Sequence, residues 1–504
     1  MFEKRKLSFT ILFAVLLTAL FYKQGLGINL VIAELVLVGY LLLSKQIQLK
    51  NYQSISVFGL MLISLVFTIF THSIFIYIMH FILLGAFVGL LIYPNAKSVS
   101  TYFSLAIANV TTSQFALIES IGRSKIQGRN VGRFLWRIKL YFIPVLIIFI
   151  FLLLYSNSNP VFYNVYKNIQ SFVFDKLNYL LQYVELSALI TFFVGLLLSA
   201  FLIYRSRHEE IIKSDDESID FIKRNWKKPI TQIKTSALRQ EYKAAVFLVF
   251  SLNILLLTLN FLDIQNVWFN FIWEGQYLKE FVHQGTYLLI ISIVISILIV
   301  LYFFRSNLNF YSKNKLLKIL SYIWITQNAL LVISVALRNF YYIQHFALAY
   351  KRIGVFIFLL IVLFGLFTVY MKVKNGKSTF YIIRTNLLAW LYIISFSALF
   401  NWDVIIAKYN FQHANRSFLH LEFLANLSDK ALPYLDYPIQ DLLRVEEVQY
   451  SIFSFKKQHM SPIVYKHIIK ARKRKFMLTQ KHKSWLSWNW PEYKAERLIQ
   501  TFEQ

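Results

Sequence analysis

One acidic side chain and one imidazole lie inside the long apolar runs of this sequence, and both can carry a proton. They are Glu34, in the second run, and His80, in the fourth. Counted along their helices, both lie roughly 10 Å from the same end. An ionisable group in such a setting is costly and marks a functional site or a buried pair. The sequence leaves two alternatives: a Glu34–His80 pair that relays a proton, or a neutral carboxyl bonded to a neighbouring helix.

A second group of polar residues flanks the apolar runs in the second half of the chain. It consists of Glu274, His283, Arg338, Asn339, Tyr350, Arg352 and Asp403. Basic residues in short outer connections run against the usual charge bias, so Arg338 and Arg352 are each expected to have a specific partner. That partner is either structural, such as Asp403 or Glu274, or a phosphate or carboxylate gripped by the guanidinium. This group is the candidate outer-face site.

Signatures of several enzyme classes are absent. The sequence has no GxxxxGK[ST] loop, no HExxH and no GxSxG elbow. Cysteine is absent as well, which excludes disulfides, thiolate catalysis and Cys-ligated metals. We therefore expect no metal and no cofactor, and the sequence assigns no catalytic residue.

Long apolar runs must position these side chains. Of the 504 residues, 57% are hydrophobic and 15% are charged, whereas soluble domains are about a quarter charged. The runs are roughly 17 to 21 residues long, enough to carry a helix across about 30 Å of hydrocarbon. They cover residues 7–22, 28–44, 54–71, 73–93, 140–156, 186–204, 244–262, 286–304, 319–337, 353–371 and 386–402. They predict an all-α polytopic integral membrane protein with about eleven transmembrane helices.

The net charge of +28 is explained by where the basic residues lie. With the N-terminus in the cytoplasm, 30 Lys and Arg fall in inner segments, 7 in outer loops and 16 after residue 402. This bias fits the positive-inside rule and disfavours a nucleic-acid partner. The odd number of spans places the tail outside. The expected partners are the lipid bilayer and either anionic lipid headgroups or another envelope component.

Two further patterns concern helix packing. Gly85 and Gly89 form a GxxxG step in the fourth run, which is typical of close helix contacts. Gln327 and Asn328, in the ninth run, are expected to donate hydrogen bonds to neighbouring helices.

The composition along the chain divides it into four parts. Residues 1–93 form a four-helix membrane block, residues 94–243 a middle segment with long basic loops, residues 244–402 a second membrane block and residues 403–504 a helical extramembrane tail. In the tail, Trp485, Trp488 and Trp490 are expected to anchor at lipid headgroups.

Residues 282–410 resemble a known family. The residues that carry the likeness are VHQGTYLLI from Val282, YIWITQNALL from Tyr322, LRNFYYI from Leu337, AYKRIGV from Ala349 and NWDVIIAKYN from Asn401. They are similar to a bacterial polytopic membrane family, domain of unknown function 4173. Phe346 departs from its pattern, which has a glycine there. The resemblance implies an inner-membrane protein and brings no substrate or catalytic residue.

These observations favour a binding or sensing role in the cell envelope, centred on the outer-face site. One alternative is a proton-coupled transporter that uses Glu34 and His80. Another is an envelope enzyme acting on lipid-linked or glycan substrates, with Glu274, His283 or Asp403 as acid or base.

Overall fold

The computed structural model describes residues 2–123, 185–223, 232–269, 275–305, 307–452 and 460–503, together with scattered positions between 124 and 184. Most of the predicted span at 140–156, and Glu274, lie outside the described residues.

Helices make up nearly all of the described structure. In the membrane part they are α1 Phe2–Phe21, α2 Ile28–Leu43, α3 Tyr52–Thr71, α4 Ile74–Ile92, α5 Val99–Arg123, α6 Leu186–Ile203, α7 Glu209–Glu217, α8 Gln232–Asp263, α9 Gly275–Phe303, α10 Lys315–Phe346, α11 Tyr350–Asn375 and α12 Thr379–Ala398. In the tail they are α13 Trp402–Gln412, α14 Leu421–Ala425, α15 Ile439–Ile452, α16 Pro462–Lys481 and α17 Trp490–Glu503. A π-helical turn, Ile264–Phe269, follows α8, and 3-10 turns cover Asn307–Phe310, Asp429–Tyr434 and Trp485–Ser487. Two short strands, β1 Lys125–Ile126 and β2 Arg129–Asn130, pair antiparallel.

Seven of the described helices are long and apolar enough to cross a membrane, and shorter apolar helices accompany them. The prediction of an all-α, multi-span membrane protein is therefore confirmed. The count of eleven spans remains a prediction.

The break between the third and fourth predicted spans shows how local sequence sets the helix ends. Helix α3 ends at Thr71, and His72 adopts a left-handed conformation with φ of 44°. The Ser73 hydroxyl then accepts a hydrogen bond from the Ile76 amide and begins α4. Two residues are thus enough to reverse the chain between two apolar helices.

The buried side chains form three main clusters. The first joins α1–α5, α6 and α12, and the second joins α8–α11. The third lies mainly in the tail, with Ile406 and Leu424 among its members, and also includes Ile353 of α11. The tail is therefore packed onto the membrane part and shares a core with it.

Contacts between connections define two ends of the helices. At one, here called the tail end, Lys23 pairs with Glu185, Thr71 bonds Leu399, Leu348 bonds Asn410 and Gly25 bonds Ser487. At the other, here called the basic end, Lys97 bonds Asp215, Tyr93 bonds Asp216 and Arg384 bonds Asp220. The α1–α2, α3–α4 and α10–α11 connections therefore all lie beside the tail.

A glycine permits the closest approach of the tail to the α1–α2 connection. A Cβ on Gly27 would lie 2.5 Å from the Ser487 carbonyl carbon, whereas one on Gly25 would make only ordinary contact, at 3.7 Å from the Ser487 hydroxyl. We expect Gly27→Ala to separate these segments and to break the hydrogen bond from the Ile28 amide to Trp488 O, 3.1 Å long. Limited proteolysis of purified protein checks this: cleavage near residue 488 should accelerate in Gly27→Ala and stay at the wild-type rate in Gly25→Ala. Equal rates in the two variants would contradict it.

Candidate functional site

A cavity of about 880 Å³ lies where α4 and α11 begin and the tail covers them. We call it the tail groove. Its apolar side includes Ile74, Phe75, Ile78, Ile353, Ile357 and Trp402. Its polar side includes His72, Asp403, Ser428, Asp429, Lys430, Arg472 and Glu492. The groove therefore presents apolar helix surface on one side and charged groups on the other.

The α4 part of the apolar side faces outward from the protein. Ile74 is 79% exposed and Ile78 is 55% exposed, one turn apart on α4, whereas Ile353 of α11 is buried. Helix α4 is apolar enough to cross a membrane. The groove is thus bordered by an exposed apolar face of α4.

Asp403, at the start of α13, organises the polar side. Its Oδ1 accepts a hydrogen bond from the Tyr350 hydroxyl, and its Oδ2 accepts one from Ser428 Oγ at 2.6 Å. Lys430 Nζ lies 3.1 Å from the same Oδ2. Burial opposes ionisation of this carboxyl, but the charge of Lys430 and the hydrogen bonds outweigh burial and hold the pKa of Asp403 below its usual range. The carboxylate is therefore ionised and supplied with donors.

Lys430 connects the tail to the turn between α3 and α4. Its buried Nζ donates to the carbonyls of Thr71, at 3.0 Å, and His72, at 3.2 Å. These carbonyls lie at the C-terminal end of α3, where the helix dipole favours a cation. Burial lowers the pKa of Lys430, while Asp403 and Glu492 oppose that shift. One ammonium thus joins the end of α3 and the turn after it to the tail.

Glu492 and Asp429 make the remaining pairs of the polar side. His72 Nε2 lies 3.3 Å from Glu492 Oε1, and Lys483 donates to the other oxygen of Glu492. Burial works against ionisation of Glu492, but hydrogen bonds and charges from His72 and Lys483 keep its pKa well below the usual value. Arg472 pairs with Asp429 and also donates to the carbonyl of Leu427 at 2.7 Å. In the part of the chain that the structure describes, His, Asp and Glu form no group suited to hold a metal ion.

The lowered pKa of Asp403 predicts a pH dependence of stability. A carboxyl with a depressed folded-state pKa stabilises the fold above its unfolded-state pKa of about 3.9, and this contribution is lost as the pH falls through the lower folded value. We expect the melting temperature of the wild type to fall below about pH 4 and that of Asp403→Asn to fall less over the same interval. Thermal unfolding in detergent from pH 7 to pH 3 measures this. Parallel curves for the two proteins would contradict the assignment.

Helix α10 alters the predicted outer-face site. Arg338 and Asn339 were expected in a connection between spans, but α10 continues to Phe346 and both lie on the helix. Arg338 Nη2 lies 2.5 Å from Asp263 Oδ1 of α8, and the two side chains are 4% and 5% exposed. Because the two charges compensate each other, α10 can continue past Arg338 with this side chain buried in the protein. Among the described residues, Asp263 is thus an ion-pair partner of Arg338, and Asp403 pairs with Lys430 instead.

Arg352 also has local partners. Its guanidinium donates to the carbonyls of Phe346 and Ala347 and lies 4.6 Å from the centre of the Tyr342 ring. It therefore caps the last turn of α10. Asn339 Nδ2 donates to the Arg352 carbonyl at 3.0 Å.

Of the predicted outer-face residues, the structure brings Tyr350 and Asp403 together in the groove. Glu274 lies outside the described residues. His283 belongs to α9, but its side chain is outside what the structure describes.

The second predicted pair does meet. His80 Nε2 lies 2.6 Å from Glu34 Oε1, and His80 Nδ1 lies 2.9 Å from Ser64 Oγ of α3. All three side chains are buried. Because Ser64 Oγ donates to the Met61 carbonyl at 2.8 Å, His80 Nδ1 is assigned as the donor to Ser64. One proton between His80 Nε2 and Glu34 then makes either a neutral or an ionic pair.

Sequence reasoning missed several residues of these sites. Asp263 lies near Asn260 and Asn253 on one face of α8, so a polar face was a signal that could have found it. Gln327 donates to Asn253 across the helix contact at 2.9 Å, as predicted. Asn328 instead donates to Trp324 of its own helix, at 2.8 Å, so that prediction was wrong. Lys430 had no comparable signal.

One comparison with known proteins identifies a family. A family model described as a domain of unknown function, DUF4153, matches residues 7–437. No curated protein and no solved structure matches the chain. The sequence was therefore correctly expected to belong to a membrane family of unknown function, but the family is DUF4153 and not family 4173. The match also covers the first half of the chain. The chain belongs to the DUF4153 family and is a helical membrane protein.

Proposed function

We propose that the chain binds an amphiphile, a molecule with an apolar chain and a polar head, in the tail groove. The observation that carries the proposal is the two-sided character of that groove. The exposed Ile74 and Ile78 of α4, together with the less exposed Ile353 and Ile357 of α11, form one side, and the pairs made by His72, Lys430 and Arg472 with carboxylates form the other. A lipid or lipid-linked molecule has the same division.

The polar side supplies most of the specificity in this proposal. An acyl chain that leaves the bilayer for the groove exchanges one apolar environment for another, so its transfer contributes little. Hydrogen bonds and charge contacts to the headgroup differ between ligands and therefore decide which one binds. The fixed positions of Asp403 and Lys430 lower the cost of ordering the site on binding.

The charge bias supports the proposal that this groove faces the outer surface of a bacterial inner membrane. The connections rich in Lys and Arg lie at the basic end, and the positive-inside rule assigns that end to the cytoplasm. The tail and the groove then face the cell envelope. This assignment supports the expected binding or sensing role there.

A groove-filling substitution tests the binding proposal. Gly354 lines the groove, and a Cβ there meets nothing within 4 Å. Lipid at 100 times its Kd is expected to stabilise the wild type by about 2.7 kcal/mol, measured as a rise in melting temperature in detergent. Gly354→Leu is expected to fold and to lose that rise, whereas Gly59→Leu, also with an open Cβ position, is expected to keep it.

Two outcomes would contradict the binding proposal. If added lipids raise the melting temperature of Gly354→Leu as much as that of the wild type, the groove is not the binding site. If no lipid stabilises the wild type, the proposed function is wrong.

A catalytic role for Asp403 is less well supported than a binding role. A general acid or base works best when its pKa lies near the operating pH. The pKa of Asp403 is instead lowered, and Tyr350, Ser428 and Lys430 already donate to it. These features favour a binding role for this carboxylate.

The contact between Glu34 and His80 favours proton-coupled transport as a second candidate function. A carboxyl and an imidazole 2.6 Å apart in a membrane helix pair can exchange a proton. Measured proton uptake into vesicles is expected to disappear in Glu34→Gln while the protein remains folded. Uptake at the wild-type rate in that variant would reject this candidate.

A further inference from the structure

We infer that the tail groove selects a zwitterionic headgroup that carries a primary ammonium beside a phosphate, as phosphoethanolamine does. This inference rests on the proposed binding function and names the class of ligand. It is carried by the balance and accessibility of the charges on the polar side.

The polar side of the groove has no excess of positive charge. Its carboxylates are Asp403, Asp429 and Glu492, and three permanent cations face them: Lys430 and Arg472 of the lining, and Lys483, which donates to Glu492 from outside the lining. His72 also faces Glu492. An anionic headgroup would therefore enter beside three carboxylates, and like charges at short range are unfavourable.

One of the ion pairs is much more accessible than the one beside it. The side chains of Arg472 and Asp429 are 25% and 47% exposed, whereas those of Lys430 and Asp403 are 2% and 12% exposed. A ligand that enters the groove thus meets one positive and one negative group next to each other. Such a pair is complementary to a zwitterion whose anionic group faces Arg472 and whose cationic group faces Asp429.

The accessible pair is also held in place. Arg472 donates to the carbonyls of Ala425 and Leu427 as well as to Asp429. Its guanidinium is therefore already ordered, so binding a phosphate would cost little further side-chain entropy. The Asp429 carboxylate accepts hydrogen bonds, and a primary ammonium has three N–H donors for it. A trimethylated ammonium has none, so the inference separates ethanolamine from choline headgroups.

Three phospholipids with the same acyl chains test the inference on the unmodified protein. The probes are dioleoyl phosphatidylethanolamine, phosphatidylcholine and phosphatidylglycerol, and the readout is the Kd from native mass spectrometry of protein purified in a neutral detergent. We expect the ethanolamine lipid to bind about tenfold more tightly than either of the others. Phosphatidylglycerol or phosphatidylcholine binding as tightly as phosphatidylethanolamine would overturn the inference and leave the binding function intact.

A matched pair of variants locates the selectivity. Asp429→Asn removes the exposed carboxylate, and Glu422→Gln removes an exposed acid of α14 that is absent from the groove lining. Asp429→Asn is expected to bind the three lipids within about twofold of one another, and Glu422→Gln to keep the preference. A preference that persists in Asp429→Asn would overturn the inference. Binding of none of the three lipids to the wild type would instead overturn the proposed function itself.

Discussion

Replacing Asp263 by alanine is expected to cause one of the largest losses of stability of any single substitution in the chain. The change removes the Asp263 carboxylate from the buried Arg338 guanidinium, 2.5 Å away. Removing one member of a buried ion pair costs about 3–5 kcal/mol, because the remaining charge is uncompensated. The expected result is a strongly lowered melting temperature and aggregation on size-exclusion chromatography in detergent.

A double variant separates the charge effect from the loss of packing. Asp263→Leu combined with Arg338→Met keeps apolar volume and removes both charges, so it is expected to recover most of the stability that Asp263→Ala loses. If the double variant is as unstable as Asp263→Ala, the pair is not held together by charge compensation.

The second large effect is expected at Gly89, where α4 touches α5. A Cβ added to Gly89 would lie 2.0 Å from the carbonyl oxygen of Tyr102, a backbone atom that cannot move without shifting α5. Gly89→Val should therefore separate the two helices and expose the buried Tyr102. We expect a loss of about 3 kcal/mol or more, measured by thermal unfolding.

Gly85 provides the control, because it is the other glycine of the same GxxxG step. A Cβ on Gly85 meets nothing within 4 Å, so Gly85→Val is expected to keep nearly the wild-type melting temperature. Equal losses in the two variants would show that the helix itself, rather than the contact with α5, is sensitive to the substitution.

Much of the membrane part could be predicted from the sequence because its signals are local. Runs of apolar residues mark helices in the bilayer, where every backbone polar group must be bonded within the segment. Depth along a helix follows from the rise per residue, which is why Glu34 and His80 could be placed together before any contact was known. The GxxxG step at Gly85 also pointed to close packing, although it did not show which glycine makes the contact.

The candidate site was harder to predict because its residues are far apart in the chain. His72, Tyr350, Asp403, Lys430 and Arg472 meet only after the tail folds back onto α3 and α11. No periodic pattern links a lysine in the tail to carbonyls that end a membrane helix. The end of α10 was misplaced for a related reason: hydropathy treats Arg338 as a break, whereas its distant partner Asp263 makes it compatible with a buried helix.

Covalent labelling can show where on the protein a lipid binds. A phosphatidylethanolamine with a diazirine on its acyl chain is added to the purified protein and activated by light, and the labelled peptides are identified by mass spectrometry. If the lipid binds in the tail groove, label is expected on residues 74–78 of α4 and 353–357 of α11. Excess unlabelled lipid is expected to remove that label. Label spread evenly over the apolar helices, or unaffected by the competitor, would contradict a binding site in the tail groove.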